Sequence, residues 1–233
     1  MEIQIGVAKI NKYASSESGD TLEVIERPNG GLSVVLADGQ RSGKSAKRIS
    51  NMVVRKVISL LAEGVRDGAA ARAASDYLFT HKSGKVQSTL NILSIDLESR
   101  TLVITRNNPI PTMISVEGKV SQLDDECQPV GIYRDTRPVI NELELSKGLY
   151  VVTFSDGLPY AGERNGEPLD IADTFSRLLE ENASPQNIAD RLMAEAQRRE
   201  GNRPGDDISV VVLGVLPLGD DEVRRMWVRL PLK

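Results

Sequence analysis

The chain contains one cysteine (Cys127), one histidine (His81) and one tryptophan (Trp227). A single cysteine excludes a disulfide within the chain, and together with the single histidine it excludes a Cys/His zinc cluster. A Cys–His or Ser–His pair would have to use His81. That residue lies in the polar stretch FTHKSGK after a helix-like segment and reads as a solvated turn residue. The chemistry is therefore expected to run on carboxylates, hydroxyls, lysine or arginine. Aromatic residues make up only 4%, which disfavours a base-stacking surface, and a net charge of -4 without a basic block disfavours a nucleic-acid partner. No apolar run approaches the roughly 18 residues of a membrane span. The opening MEIQIGVAKI lacks the basic region and apolar core of a signal peptide. The expectation is a cytoplasmic protein with no membrane partner.

Against these absences, 233 residues with 40% hydrophobic and 27% charged side chains suit a folded chain with a sizeable core. No long linker, repeat or low-complexity tract interrupts it. One domain is expected over residues 1–218, with 219–233 as an extension. The tail from Asp220 to Lys233 carries Trp227 and is expected to form an edge strand or a contact for another chain. Strand signals open the chain in IQIGVAKI, TLEVIER and LSVVLAD, the last two joined by the hairpin turn PNGG. From Ala46, apolar residues at Ile49, Met52, Val53, Val57, Leu60 and Leu61 follow the spacing of one helical face. An Ala-rich helix is predicted from about Gly68 to Phe79. TLNILSIDL, TLVITR, PTMISV and LYVVTFS then read as a meander of antiparallel strands, because no helix pattern separates them. Two helices follow, over Ile171–Glu181 and from Ser184-Pro185, an N-cap with proline at the first helical position. ISVVVLGVL is the last core strand. This order predicts an α+β fold with antiparallel sheets and helices packed outside.

Four acidic spots share one context. Asp20 lies in SESGD and Asp206-Asp207 in PGDD, each directly before a strand; Asp38 in ADG and Asp156 in TFSDG each end one. Every carboxylate sits beside a glycine at the tip of an apolar run, where small neighbours admit close backbone approach and a strand end gives rigid placement. Taken singly, Asp-Gly is also an ordinary turn. If the tips converge, they form an all-oxygen cluster suited to Mg²⁺ or Mn²⁺. A competing reading is a nucleotide-binding P-loop, because DGQRSGKS nearly matches G-x-x-x-x-G-K-[ST]. Asp38 occupies the place of its first glycine, however, and the stretch from Val86 to Phe154 lacks the helices that a parallel sheet requires.

In this order, Ser18-Gly19-Asp20, Ala37-Asp38-Gly39 with Ser42-Gly43, Ser155-Asp156-Gly157 and Gly205-Asp206-Asp207-Ile208-Ser209 resemble the motifs of metal-dependent protein serine/threonine phosphatases of the PP2C superfamily, in the SpoIIE-like branch. STLNILSIDLESRTLVITRNNPIPTMI and QPVGI add to the likeness, which covers about Glu17 to Leu213. The resemblance implies a four-layer α-β-β-α sandwich, two packed antiparallel sheets flanked by helices, with two Mn²⁺ or Mg²⁺ ions at one end. By motif, Asp38 would bridge the ions and the Gly39 carbonyl would bind one. Asp156 and Asp206 would bind the second, and Asp20 would reach the first directly or through water; these four aspartates are the implied catalytic set. Ser18, Gly19, Gly157 and Asp207 would support them. Water held between the ions would attack phosphorus in line. The chain departs from the family turn by placing Arg41 where a second glycine is common; Arg41 or Lys44 is a candidate phosphate contact, against the plainer reading of a solvated loop cation. No residue matches the extra acid that holds a third ion in some relatives. The chain looks similar to the stand-alone phosphatases of stressosome scaffold or anti-sigma-antagonist proteins. That likeness implies phosphoserine or phosphothreonine on a STAS-domain partner as substrate. A catalytically silent relative acting as a binding module is the alternative from another class.

Overall fold

A computed structural model describes residues 1–219 and 221–231. Among these, ten strands form two antiparallel five-stranded sheets. Sheet A has the order β1-β10-β9-β6-β7, built from β1 (Glu2–Ile10), β6 (Thr112–Val116), β7 (Lys119–Leu123), β9 (Tyr150–Phe154) and β10 (Ile208–Leu216). Sheet B has the order β2-β3-β4-β5-β8, from β2 (Asp20–Glu26), β3 (Leu32–Gly39), β4 (Ser88–Asp96), β5 (Thr101–Asn107) and β8 (Val139–Glu144). Four α-helices cover them: α1 (Gly43–Ala62), α2 (Asp67–Lys82), α3 (Ile171–Glu180) and α4 (Pro185–Arg199).

The central strands read as continuous apolar runs because both of their faces are buried. In β3, Val34 and Leu36 face the other sheet and meet Leu93, Ile104, Val211 and Leu213. Their neighbours Val35 and Ala37 point the opposite way, into a layer with Val53, Val57 and Leu61 of α1 and Ala71, Ala74 and Leu78 of α2. In sheet A, Val210 and Val212 likewise pack against Phe175 of α3 and Ile188 and Leu192 of α4. Three apolar layers between four layers of structure give the expected α-β-β-α sandwich.

Several expectations need correction. The four strands from 88 to 154 are not one meander: β4 and β5 stay in sheet B, while β6 and β9 belong to sheet A, so the chain crosses between sheets after Asn107. β8 was not predicted; it is an edge strand whose exposure alternates residue by residue, and among the described residues its one ladder is to β5. α1 starts at Gly43, three residues before the apolar periodicity sets in, and α2 runs from Asp67 to Lys82, beyond its predicted bounds. His81 lies in the last turn of α2, exposed, with its ring against Tyr77. Residues 221–231 form no strand; Arg224 holds the segment by its side chain to Glu26 and the Gly30 carbonyl rather than by a main-chain ladder. Asp220, Leu232 and Lys233, which belong to the same expected tail, lie outside the described residues.

α4 begins as its sequence dictates: Ser184 Oγ accepts from Asn187 N at 3.3 Å, with Pro185 in the first turn. Ser184→Ala should cost about 1 kcal/mol, a loss of one N-cap bond. Chemical denaturation with an unchanged m-value is the check.

Candidate active site

The four acidic motifs meet at one end of the sandwich. Asp20, the first residue of β2, and Asp38, near the end of β3, are directly cross-strand partners. β9 and β10 are neighbours in sheet A, and this brings Asp156, just after β9, beside Asp206, just before β10. Sheet packing closes the two pairs on each other. Asp38, Asp156 and Asp206 line one cleft of about 290 Å³ together with Lys12, Gly39 and Arg41.

Asp20 lies deeper, fully buried. Ser209 Oγ donates to its Oδ2 at 2.6 Å, whereas its Oδ1 has no hydrogen-bond partner. Burial raises its pKa, opposed by the Ser209 and Ser155 hydroxyls. Asp38 is pushed up to about 10, first by burial and then by the charges of Asp20, Asp156 and Asp206. Asp156 is raised to about 6 by burial and by Asp206. Carboxylates that raise one another in this way form a site short of positive charge.

Asp207 behaves differently from its neighbour because adjacent residues at a strand entrance face opposite ways. Its carboxylate accepts from Lys12 N (2.9 Å) and Gly19 N (2.7 Å), so it ties the turn after β1 to the entrance of β2. Ser18 Oγ accepts from Asp20 N at 3.1 Å. The Asp38 main chain is fixed on both sides: Thr89 Oγ1 accepts from its N–H at 3.3 Å, and Ser88 Oγ donates to its carbonyl at 2.6 Å. Two glycines are required by close approach. A Cβ on Gly39 would run into the Ala46 carbonyl of α1, and one on Gly157 into the Asp207 carbonyl.

Sequence reasoning did not find three lysines here. Lys12 lines the cleft. Lys9 and Lys47 both donate to the Asp20 carbonyl, at 2.6 and 2.7 Å, and Lys47 also donates to Thr21 Oγ1. Burial and the Lys47 charge lower Lys9 to about 8. Nothing local marks them, since lysine at a strand end or on a helix is normally solvated. Arg41 is at the cleft wall, exposed, with φ of 78° in the left-handed region. Lys44 lies in the first turn of α1 and is not among the cleft-lining residues.

The fit to divalent cations follows from the donor set: four carboxylates, one of them with an orphaned buried oxygen, and a backbone carbonyl at Gly39. Among the described residues, no three Asp, Glu, His or Cys side chains are gathered as a ready cage for a single ion. The acids are spread along a cleft instead. This arrangement suits hard cations that take one or two carboxylates each and complete their shells with water.

The architecture is that of PP2C-type phosphatase domains. The solved PP2C phosphatase domain of Bacillus subtilis SpoIIE, with a fragment of its regulatory domain, superposes with a TM-score of 0.78 at 23% identity, over 92% of this chain and 63% of that one. RsbX in complex with magnesium gives 0.68 at 16% identity, over 91% and 94%. The sequence profile of stage II sporulation protein E (SpoIIE) matches residues 28–216, so the chain belongs to the SpoIIE family. It is 24% identical over 230 residues to stage II sporulation protein E of Bacillus subtilis strain 168, covering 99% of this chain but 27% of that protein. The chain thus spans about a quarter of that relative's length. The antiparallel sheets exclude the parallel core of a P-loop protein. No helix among the described residues is long and apolar enough to cross a membrane.

Proposed function

We propose that this protein is a divalent-cation-dependent protein serine/threonine phosphatase. The carrying observation is the convergence of Asp38, Asp156 and Asp206, from both sheets, on one cleft with Asp20 buried behind it. Asp20, Asp38, Asp156, Asp206 and the Gly39 carbonyl are the groups that would hold two Mn²⁺ or Mg²⁺ ions. Such ions lower the pKa of bound water toward neutrality and offset charge on phosphoryl oxygens. The chain's own part is placement. Asp207 and Ser209 fix the loops that carry the acids, and Lys12 and Arg41 supply the cationic wall that orients an incoming phosphoryl group. An open cleft at the protein surface suits phosphoserine or phosphothreonine on another protein. Family membership favours a STAS-domain protein of an anti-sigma or stressosome system. Residues 1–218 would act as one phosphatase domain, since β1 and β10 pair over nine positions and so close the two ends of the fold into one sheet.

The test is hydrolysis of an aryl phosphate with Mn²⁺, followed by a phosphorylated STAS protein. Activity abolished by chelator and restored by metal is expected. Inactivity on both substrates would favour a silent binding module. Arg41→Gly separates the roles of that residue. Relief of the left-handed strain should stabilise the protein by about 1 kcal/mol. Loss of the phosphate contact should raise KM by about tenfold, with kcat little changed. Unchanged KM would make Arg41 a loop cation only.

A further inference from the structure

A second concave surface lies away from the acidic cleft. Between the β6–β7 edge of sheet A and the segment from Pro159 to Ala172 lies a groove of about 410 Å³, walled by Ile110, Pro111, Met113, Phe154, Leu169 and Ile171. Its rim is acidic. Asp170 lines it, and exposed Asp124, Asp125 and Glu126 follow Gln122, another lining residue. None of these four acids is in an ion pair among the described residues.

The complementary surface is the segment after β10. Val223, Met226, Trp227, Val228 and Leu230 are 61–81% exposed, crowded into one short stretch with Arg224, Arg225 and Arg229. Single exposed apolar residues are ordinary, but a cluster of this kind marks a contact. The arginines' present partners, Glu26 and Asp221, form solvated pairs that add little.

The segment lies elsewhere on its own molecule. The segment leaves along the β1 side: Gly219 N donates to Glu2, and Arg224 reaches Glu26 and Gly30. β1 and β7 are opposite edges of sheet A, four strand spacings or about 19 Å apart. The apolar segment is therefore not seated in the groove of its own molecule. We propose that residues 221–231 of one copy dock in the groove of a second copy, with Trp227 as the apolar anchor and the arginines against the acidic rim. Reciprocal exchange closes a dimer, whereas one-way exchange gives rings or chains.

Trp227 is the only tryptophan, so its emission reports the contact directly. Over about 1 to 100 µM, sedimentation mass and a blue shift of the emission should rise together. Trp227→Ala should remain monomeric at the top concentration. A labelled peptide of residues 219–231 should bind the wild type and bind Ile110→Glu at least about tenfold more weakly. Asp124→Lys/Asp125→Lys alters only exposed side chains and should weaken binding similarly, which covers the case in which Ile110→Glu fails to fold. The idea is overturned by any of four results: a monomer with solvent-exposed emission throughout; a blue shift without a change in mass, which means the chain's own surface is filled; a blue shift only with anionic vesicles; or association that survives all three variants. Aryl phosphate turnover in Trp227→Ala should equal wild type per monomer, which keeps this test separate from that of the phosphatase reading.

Discussion

Asp38→Asn should lower Mn²⁺-dependent phosphomonoester hydrolysis by about 10³-fold, the scale of removing one preorganised electrostatic group from a reacting centre. The same substitution should make the metal-free protein more stable. Asp38 faces Asp20, Asp156 and Asp206 and is pushed up to about 10, so at neutral pH its carboxyl is held protonated among like charges. A neutral amide of the same shape folds without taking up a proton, so that cost disappears. A gain of about 1–2 kcal/mol, near 5 °C in Tm, is expected by differential scanning fluorimetry in chelator. Lost activity with a lowered Tm would indicate structural damage, and an unchanged Tm would remove the claim that Asp38 destabilises the metal-free fold. Retained activity would remove Asp38 from the metal site. The double signature distinguishes a functional acid from a structural one, because a residue placed for stability does not destabilise the fold it belongs to.

The second large effect is the interplay of pH and divalent ions. Asp38 and Asp156 have folded pKa values near 10 and 6, above the unfolded 3.8. Between the unfolded and folded values the native state holds a proton that the unfolded chain has released, so stability falls as pH rises. Both groups act from about pH 4 to 6, and Asp38 alone continues above that. In chelator, Tm should therefore decline from pH 5 to 8; above that Lys9, lowered to about 8, opposes the Asp38 slope. Cations that bind the ionised acids reverse the sign. At a free concentration a hundred times Kd they add about 2.7 kcal/mol, or roughly 5–10 °C, at pH 8 and much less at pH 5. A Tm–pH curve identical with and without Mn²⁺ would exclude cation binding by these acids.

These predictions rest on residues whose positions were legible to different degrees. Asp38 and Asp156 stood out because each ends a strongly apolar strand, and a strand tip is a fixed point. Local pattern did not separate Asp206 from Asp207; only the family resemblance gave the first to metal and the second to support. The structure sends one into the cleft and turns the other onto the Lys12 and Gly19 amides. Asp20 was legible as a candidate, but its full burial and its unpartnered Oδ1 were not. Lys9, Lys12 and Lys47 carried no local signal.

By itself the sequence determined the local elements: two-faced apolar strands, the helical periodicity from Ile49 to Leu61, the Ser184-Pro185 start of α4, and acids at strand tips. These follow from side-chain spacing within about ten residues, where the backbone repeat decides which side chains share a face. Only the tertiary structure decided which sheet each strand joined, because an apolar face is equally satisfied by either sheet. It also decided that three acids from distant parts of the chain share one cleft, with Asp20 buried behind them. Their mutual repulsion is an energy of the assembled fold, one that no single segment contains.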